Sequence, residues 1–380
     1  MNKSELLPRV ERLLQSLGEE LRFQLEIQKP HARWGDADLF VKLRSQGRPL
    51  ASLLVELCAN PRLAPVAHAA EQARRVAAEA KALPVVAVPR LSAGLRRWLR
   101  DQQVGYLDLD GRAYLRGEGL LIDRDVDRDV VSAREFYSAW SGVNFFADRS
   151  SLVLRYLLER DRVRVRIREV AAELKLSLGL VSQVVSRLRR DGYLKADPDG
   201  LEELSGIELL CADWVDFYKR RARRQRERRF YLHARDVGQV MERLGRDGKG
   251  PDLPQWSLSY QAGASLISPF AFFSEVHVLV GGPVWEDGVD AFVKHFDLEP
   301  ARDEANLILV EPYYHDSWSY GLRSIGALPV VSDVQLYLDL SLYPRRGSEQ
   351  ASRILERLMA KGSAEDQLEN QRSDSRTRGT

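Results

Sequence analysis

The sequence predicts an α/β multidomain protein, in which an N-terminal α/β sandwich and a C-terminal α/β domain flank a small central helical module. Three observations predict it. At 380 residues the chain is too long for one ordinary core. Strand-length apolar runs alternate with helical periods over residues 1–125 and again over 230–361, as layered α/β domains require. Between them, two short amphipathic helices stand in a strongly basic stretch. The expected divisions are therefore 1–125, a linker at 126–148, a helical module at 149–204, a basic connecting helix at 205–229, a domain at 230–361 and a disordered tail at 362–380. That tail is rich in Ser, Asp, Gln, Asn and Arg and has no apolar period.

Composition narrows the function classes. A hydrophobic fraction of 44% is ordinary for a globular protein, and the longest apolar runs, near Pro84 and Val276, are only strand length, so no membrane span is expected. The N-terminus mixes acid and base and lacks a signal-peptide core. Two cysteines far apart, Cys58 and Cys211, support no disulfide framework and point to a reducing cytoplasm. The six histidines form no spaced pair with each other or with a cysteine, so neither a metal site nor a cofactor is expected. Phosphate-loop, dinucleotide-binding and nucleophile-elbow glycine motifs are missing as well.

The central module carries the most specific signal. Val170, Ala171 and Leu174 repeat at one-turn spacing, and so do Val181, Val184, Val185 and Leu188. Ser177 is placed to cap the second helix, and Gly192 to end it with a left-handed backbone. Two helices joined by about four residues form a helix-turn-helix. In front lies a helix holding Leu152, Val153, Tyr156 and Leu157, then an alternating strand at 162–167. After the pair, two short strands flank the turn at Asp197, Pro198, Asp199 and Gly200. The order helix, strand, helix, helix, hairpin over 149–204 resembles a winged helix-turn-helix domain.

Opposite its valines the second helix presents Ser182, Gln183, Ser186, Arg187 and Arg190, short polar and long basic groups suited to base edges and phosphates in a major groove. Residues 149–195 carry a surplus of +7, and the run 219–229 another +7, while the whole chain carries +2. Such concentration is the footprint of a phosphate-binding surface. The residues expected on DNA are Ser177, Ser182, Gln183, Ser186, Arg187, Arg190, Lys195, Arg220, Arg221, Arg223 and Arg224. Residues 207–218 are expected to continue as an amphipathic helix straight into the arginine run.

In the first 125 residues the expected order is a helix at 5–17, strands at 22–28, 37–43 and 51–57, an alanine-rich helix at 66–83, a buried strand at 84–88, a basic helix at 93–102 and a closing hairpin. This order resembles the core of the PD-(D/E)xK nuclease-like superfamily. The resemblance implies a divalent-metal site with Asp38 and Glu56 as its carboxylates. The family's lysine position is occupied by Cys58, which supplies no fixed positive charge, so the fold is expected to be degenerate, with Asp38, Glu56 and Cys58 vestigial and no catalytic residue retained.

In the C-terminal third, Gln261-Ala-Gly-Ala-Ser265, the strand at Val276, Gly321-Leu-Arg-Ser324 and the stretch from Leu328 to Leu340 resemble the C-terminal domain of AbiEi-type antitoxins. Those are winged-helix repressors of operons whose toxin is a nucleotidyltransferase. The resemblance implies a repressor architecture and a toxin as possible protein partner. The family starts at the winged helix, whereas here another domain precedes it. Asp333 and Asp339 are expected on a helix in N-cap and surface roles.

The expectation that joins these readings is a cytoplasmic, non-enzymatic regulator that binds double-stranded DNA in sequence-specific fashion, as a homodimer, through the helix at 178–190. A metal-dependent nuclease targeted by the winged helix is the rival reading, and an antitoxin acting on a toxin protein is the third.

Overall fold

A computed structural model describes residues 2–28, 37–125, 143–160, 163–222, 225–270, 272–344 and 346–360. The chain is mixed α/β and divides into two compact units, neither of them continuous in sequence. One holds residues 1–142, 187–194 and 205–213, and the other 143–186, 195–204 and 214–380. Among the described residues no helix is long and apolar enough to cross a membrane. Most of the expected linker and all of the expected tail lie outside the described residues.

The first unit is a seven-stranded sheet in which spatial order follows sequence order. Helix α1 (Lys3–Leu21) opens with a reciprocal cap between Asn2 and Glu5 and turns Leu6, Val10, Leu14 and Leu17 inward. Burying each of these stabilises by about 1.5–3 kcal/mol. Strands β1 (Gln24–Gln28), β2 (Leu39–Ser45) and β3 (Arg48–Leu57) are antiparallel. Helix α2 (Leu63–Ala80) then carries the chain to β4 (Leu83–Val88), and α3 (Ala93–Asp101) carries it to β5 (Gly105–Asp108), both parallel additions. Alternation along β2 and β3 sends Leu39, Val41, Leu53, Val55 and Leu57 to the core containing α1, and Phe40 and Leu54 to a smaller cluster with Val76 and Ala77 of α2.

The expected closing hairpin is present as β5 and β6 (Ala113–Gly117), but a further strand, β7 (Leu120–Arg124), extends it. No strand was expected there, because the stretch ends in mixed charges at 123–125. In the sheet, Asp123 instead pairs with Arg100 and Asp125 with Arg112, so edge strand and helix share those charges.

The second unit begins with α4 (Asp148–Leu158), whose residues from Ser150 to Leu158 are all buried. The Asp148 carboxylate accepts the backbone N–H groups of His315, Asp316 and Ser317 at 2.7–3.0 Å, tying the helix start to a distant loop. Phe146 stacks on Trp214, and the Tyr314 hydroxyl donates to the Phe146 carbonyl at 2.7 Å. The strand expected at 162–167 reduces to one bridge, Val163 with Glu202, because helix α5 (Ile167–Glu173) already begins at Ile167. Helix α6 (Leu178–Asp191) follows, then β8 (Leu194–Ala196), β9 (Glu202–Leu204) and α7 (Ile207–Ala222).

The C-terminal strands form a second seven-stranded sheet, mixed in direction, in the order β13 (Glu299–Pro300), β10 (Glu227–Tyr231), β14 (Leu307–Val310), β12 (Val276–Val280), β11 (Trp256–Leu258), β16 (Leu328–Val330) and β15 (Arg323–Ile325). Its helices are α8 (Val237–Asp247), α9 (Tyr260–Ser265), α10 (Trp285–Phe296), α11 (Asp333–Leu340) and α12, at 347–360. The stretch around residues 261–265 is helical only over Tyr260–Ser265, directly after strand β11.

Two corrections concern charge. The continuous basic helix at 205–229 does not exist, because α7 ends at Ala222 and strand β10 takes over at Glu227. Pairing with β14, together with ion pairs from Arg226 to Glu311 and from Arg229 to Glu275, outweighs the local helical preference. Asp333 and Asp339 are buried rather than on the surface. Ser332 caps α11, while Asp333 pairs with Arg323 and Arg357. Asp339 accepts from Ser259 at 2.6 Å, from Tyr218 at 2.7 Å and from Gln335 at 2.9 Å. Burial still pushes its carboxyl up to about 6. Gln335 also accepts from the fully buried Arg155 at 2.7 Å, so a polar chain runs from α4 through α11 to α7.

Candidate nucleic-acid interface

The candidate interface comprises α5, α6 and the β8–β9 hairpin. Val170 and Ala171 of α5 are buried, and Leu174 and Leu176 close the turn inward. Ser177 then caps α6: its Oγ accepts from the Leu180 N–H at 3.2 Å and its carbonyl from the Val181 N–H at 3.2 Å. Val181, Val184, Val185 and Leu188 have no solvent exposure. The helix ends at Gly192, whose φ of +85° suits glycine and lets the Tyr193 N–H reach the Leu188 carbonyl at 2.9 Å.

With the valines inward, Ser182, Gln183, Ser186 and Arg190 lie exposed along the opposite stripe. The side chains of Ser182, Gln183 and Ser186 have no hydrogen-bond partner among the described residues, so their polar groups face solvent alone. Leu178 joins the same stripe, 52% exposed at the helix start. The sequence marked it only as the first residue of the helix, yet an exposed leucine there can meet a thymine methyl.

The hairpin is closed by Asp197, whose side chain accepts from the Leu201 N–H at 2.9 Å, and by Gly200 at φ +75°. Arg164 donates to the Asp199 carbonyl at 2.9 Å, and Lys195 is exposed on β8.

Several expected phosphate contacts are placed otherwise. Arg187 is only 5% exposed and pairs with the buried Asp191 at 3.2 Å, a carboxylate shared with Arg62 at 3.1 Å. Its guanidinium is spent inside the protein, and burial lowers its pKa against the pull of Asp191. Sequence periodicity missed this because Arg187 lies at the edge of the polar stripe. Arg160 pairs with Glu173, Arg166 with Glu169, and Arg155 is wholly buried. Arg220 pairs with Asp216 at 2.6 Å and Arg221 lies 4.0 Å from the centre of the Phe217 ring. Arg223 and Arg224 lie outside the described residues. Arg168 and Lys175, unremarked in the sequence, are exposed with no carboxylate partner among the described residues. The basic surface is therefore smaller than the sequence surplus suggests and follows α5, the turn and the hairpin.

Asp38 and Glu56 do come together, on the neighbouring strand positions before β2 and within β3. Asp38 Oδ2 accepts from the Leu57 N–H at 2.8 Å and from Lys3 Nζ at 2.6 Å, and Lys3 Nζ lies 3.9 Å from Glu56 Oε2. Gln72 of α2 donates to Glu56 at 3.2 Å. Glu56 is 1% exposed, and burial, then the charge of Asp38, push its carboxyl up to about 8. Cys58 is buried with its thiol donating to the Asn60 carbonyl at 3.1 Å, and burial raises its pKa. Lys3, which no motif spacing marks, thus brings an ammonium to the two carboxylates from α1. Among the described residues no group of three or more His, Cys, Asp or Glu is gathered as a metal site.

Searched against protein families, curated proteins and solved structures, the chain matches none.

Proposed function

We propose that the protein is a sequence-specific double-stranded-DNA-binding transcriptional regulator of winged helix-turn-helix type, acting as a homodimer. The observation that carries this reading is the stripe Ser182, Gln183 and Ser186: three unpartnered polar side chains on a capped helix whose other side is fully buried. Such a stripe suits a major groove, where serine and glutamine meet base edges and Leu178 meets a thymine methyl. Arg168, Lys175, Arg190 and Lys195 hold the phosphates on either side. Selection of bound fragments from the source genome, followed by gel-shift titration, tests it. A consensus site whose affinity drops in Gln183→Ala is expected, and binding without sequence preference would refute it.

A second reading, a metal-dependent nuclease targeted by the same module, is favoured by Lys3. Its ammonium supplies beside Asp38 and Glu56 the positive charge that Cys58 lacks. Two crowded carboxylates, one held neutral by burial and by the other's charge, are a donor set that a hard divalent cation ionises and binds. Such a cation would supply Lewis-acid activation of water. Lys3 would steady negative charge nearby, and Gln72 would hold the Glu56 carboxyl in place. Plasmid incubated with Mg²⁺ or Mn²⁺ separates the readings: cleavage that Glu56→Gln abolishes makes the chain an enzyme, and intact plasmid leaves it a regulator.

A further inference from the structure

A cavity of about 970 Å³ lies within the second unit and has no part in the surface described above. Its floor is one face of the second sheet. Cross-strand register sets Arg229, Ile308 and His277 in one row and Glu227, Val310 and Leu279 in the next, so Glu227, Arg229 and His277 share that face. Helix α7 contributes Lys219, and the segment after α11 contributes Tyr343. The volume is in the range of small-molecule sites.

Three features mark it as built for a ligand. First, His277 is 6% exposed and its buried Nδ1 has no hydrogen-bond partner, a state that calls for an explanation in a folded protein. Burial lowers its pKa to about 4, with Glu275 pulling the other way, so the ring is neutral near pH 7 and offers hydrogen bonding without charge. Second, two tyrosine rings pack against the imidazole. The centroids of Tyr260 and His277 are 4.8 Å apart, those of His277 and Tyr343 5.3 Å, and those of Tyr260 and Tyr343 5.8 Å. Tyr260 holds its place with φ +49°, a left-handed conformation costly for an aromatic residue. Third, the exposed lining residues Lys219 and Glu227 carry opposite charges with no ion-pair partner among the described residues, whereas Arg229 and Glu275 nearby are paired with each other.

We propose that this cavity binds a zwitterionic aromatic small molecule of amino-acid to dipeptide size. Its ring lies against Tyr260 and Tyr343, a ring hydroxyl meets His277 Nδ1, its carboxylate meets Lys219 and its ammonium meets Glu227. A hydroxyl both donates and accepts, so it satisfies the imidazole in either tautomer. The opposed charges suit a zwitterion better than a simple anion or cation, and the ring cluster favours a flat ligand over an aliphatic one.

The test is calorimetric titration of the full chain, without DNA, using L-tyrosine and L-alanyl-L-tyrosine as probes and L-leucine as control. Because no DNA is present, the outcome is independent of the regulator reading. Saturable binding of at least one aromatic probe and none of L-leucine is expected. Loss of the single hydrogen bond in His277→Phe, which keeps an aromatic ring in the cluster, weakens the probe about tenfold. Lys219→Gln and Glu227→Gln, at exposed positions that do not threaten folding, each weaken it about fivefold. No binding of either aromatic probe at millimolar concentration overturns the proposal. So does an affinity unchanged in both Lys219→Gln and Glu227→Gln, which keeps the test decisive if His277→Phe fails to fold.

Discussion

Helices α6 and α7 look alike in sequence, since each carries apolar residues at helical spacing and ends in a basic cluster. In the structure they are opposites. Along α6 buried and exposed residues alternate by turn, which leaves a continuous polar stripe. Along α7 every residue from Leu209 to Val215 is buried, Cys211 and Asp213 included. Asp213 meets the Gly94 N–H at 2.9 Å, and the Cys211 thiol is pushed up to about 12 by burial. The difference lies in the width of the apolar arc. Serines and a glutamine confine it to one side in α6, whereas Leu, Cys, Ala, Trp and Val surround α7. A basic C-terminus therefore says little about exposure; the residues one and two turns earlier decide it.

The largest effect expected from breaking this contrast lies on the α7 side. Asp339→Ala removes the acceptor shared by Ser259, Tyr218 and Gln335 and takes one of the carboxylates from the surroundings of the fully buried Arg155, at a cost of about 3–5 kcal/mol in urea unfolding. A small loss there would mean that the polar chain from α4 to α7 is not a structural unit. Next, Arg187→Gln is expected to destabilise by about 1–3 kcal/mol, since it leaves Asp191 to Arg62 and Arg190, while leaving the salt dependence of DNA binding unaltered. A flattened salt dependence in that variant would return Arg187 to the interface.

On the α6 side, Gln183→Ala is expected to cost about 1–3 kcal/mol at one base position and almost nothing in stability. Equal losses on all sequences would make its contact a phosphate contact. Lys195→Ala gives the smallest change, a uniform weakening with the logarithmic salt slope reduced by about 1. Folding stability followed against pH tests the N-terminal unit separately. The Glu56 carboxyl is raised from 4.5 to about 8, so the folded chain holds a proton that the unfolded chain releases between those values. Stability attributable to Glu56 is full below pH 4.5 and is lost as pH rises toward 8. Glu56→Gln, which cannot ionise, is expected to flatten that decline, and an unchanged pH profile would show that the carboxyl is ionised in the fold.

Much of the secondary structure was legible. Ser177 acts as a cap, Gly192 adopts the expected left-handed conformation, Gly200 closes the expected turn, and the strands at Leu39, Leu53, Val85 and Val276 occupy the expected stretches. The strands that escaped notice, β7, β10, β11, β13, β15 and β16, are short, and several are charged or contain proline; each is held by pairing with a neighbouring strand. At the interface Ser182, Gln183 and Ser186 were readable from the valine period, whereas Arg187, one step round the helix, was not.

The sequence by itself determined which side of α1, α5 and α6 is apolar and that Ser177 and Gly192 bound α6, because those properties depend on neighbours within about one turn. Only the tertiary structure decided the fate of each charge. It matched Lys3 to an aspartate 35 residues away, Arg226 to a glutamate 85 away, and buried Arg155 beneath α11. An ion pair forms between whichever groups the packed strands and helices bring within a few ångströms, and no local spacing in the chain encodes that distance.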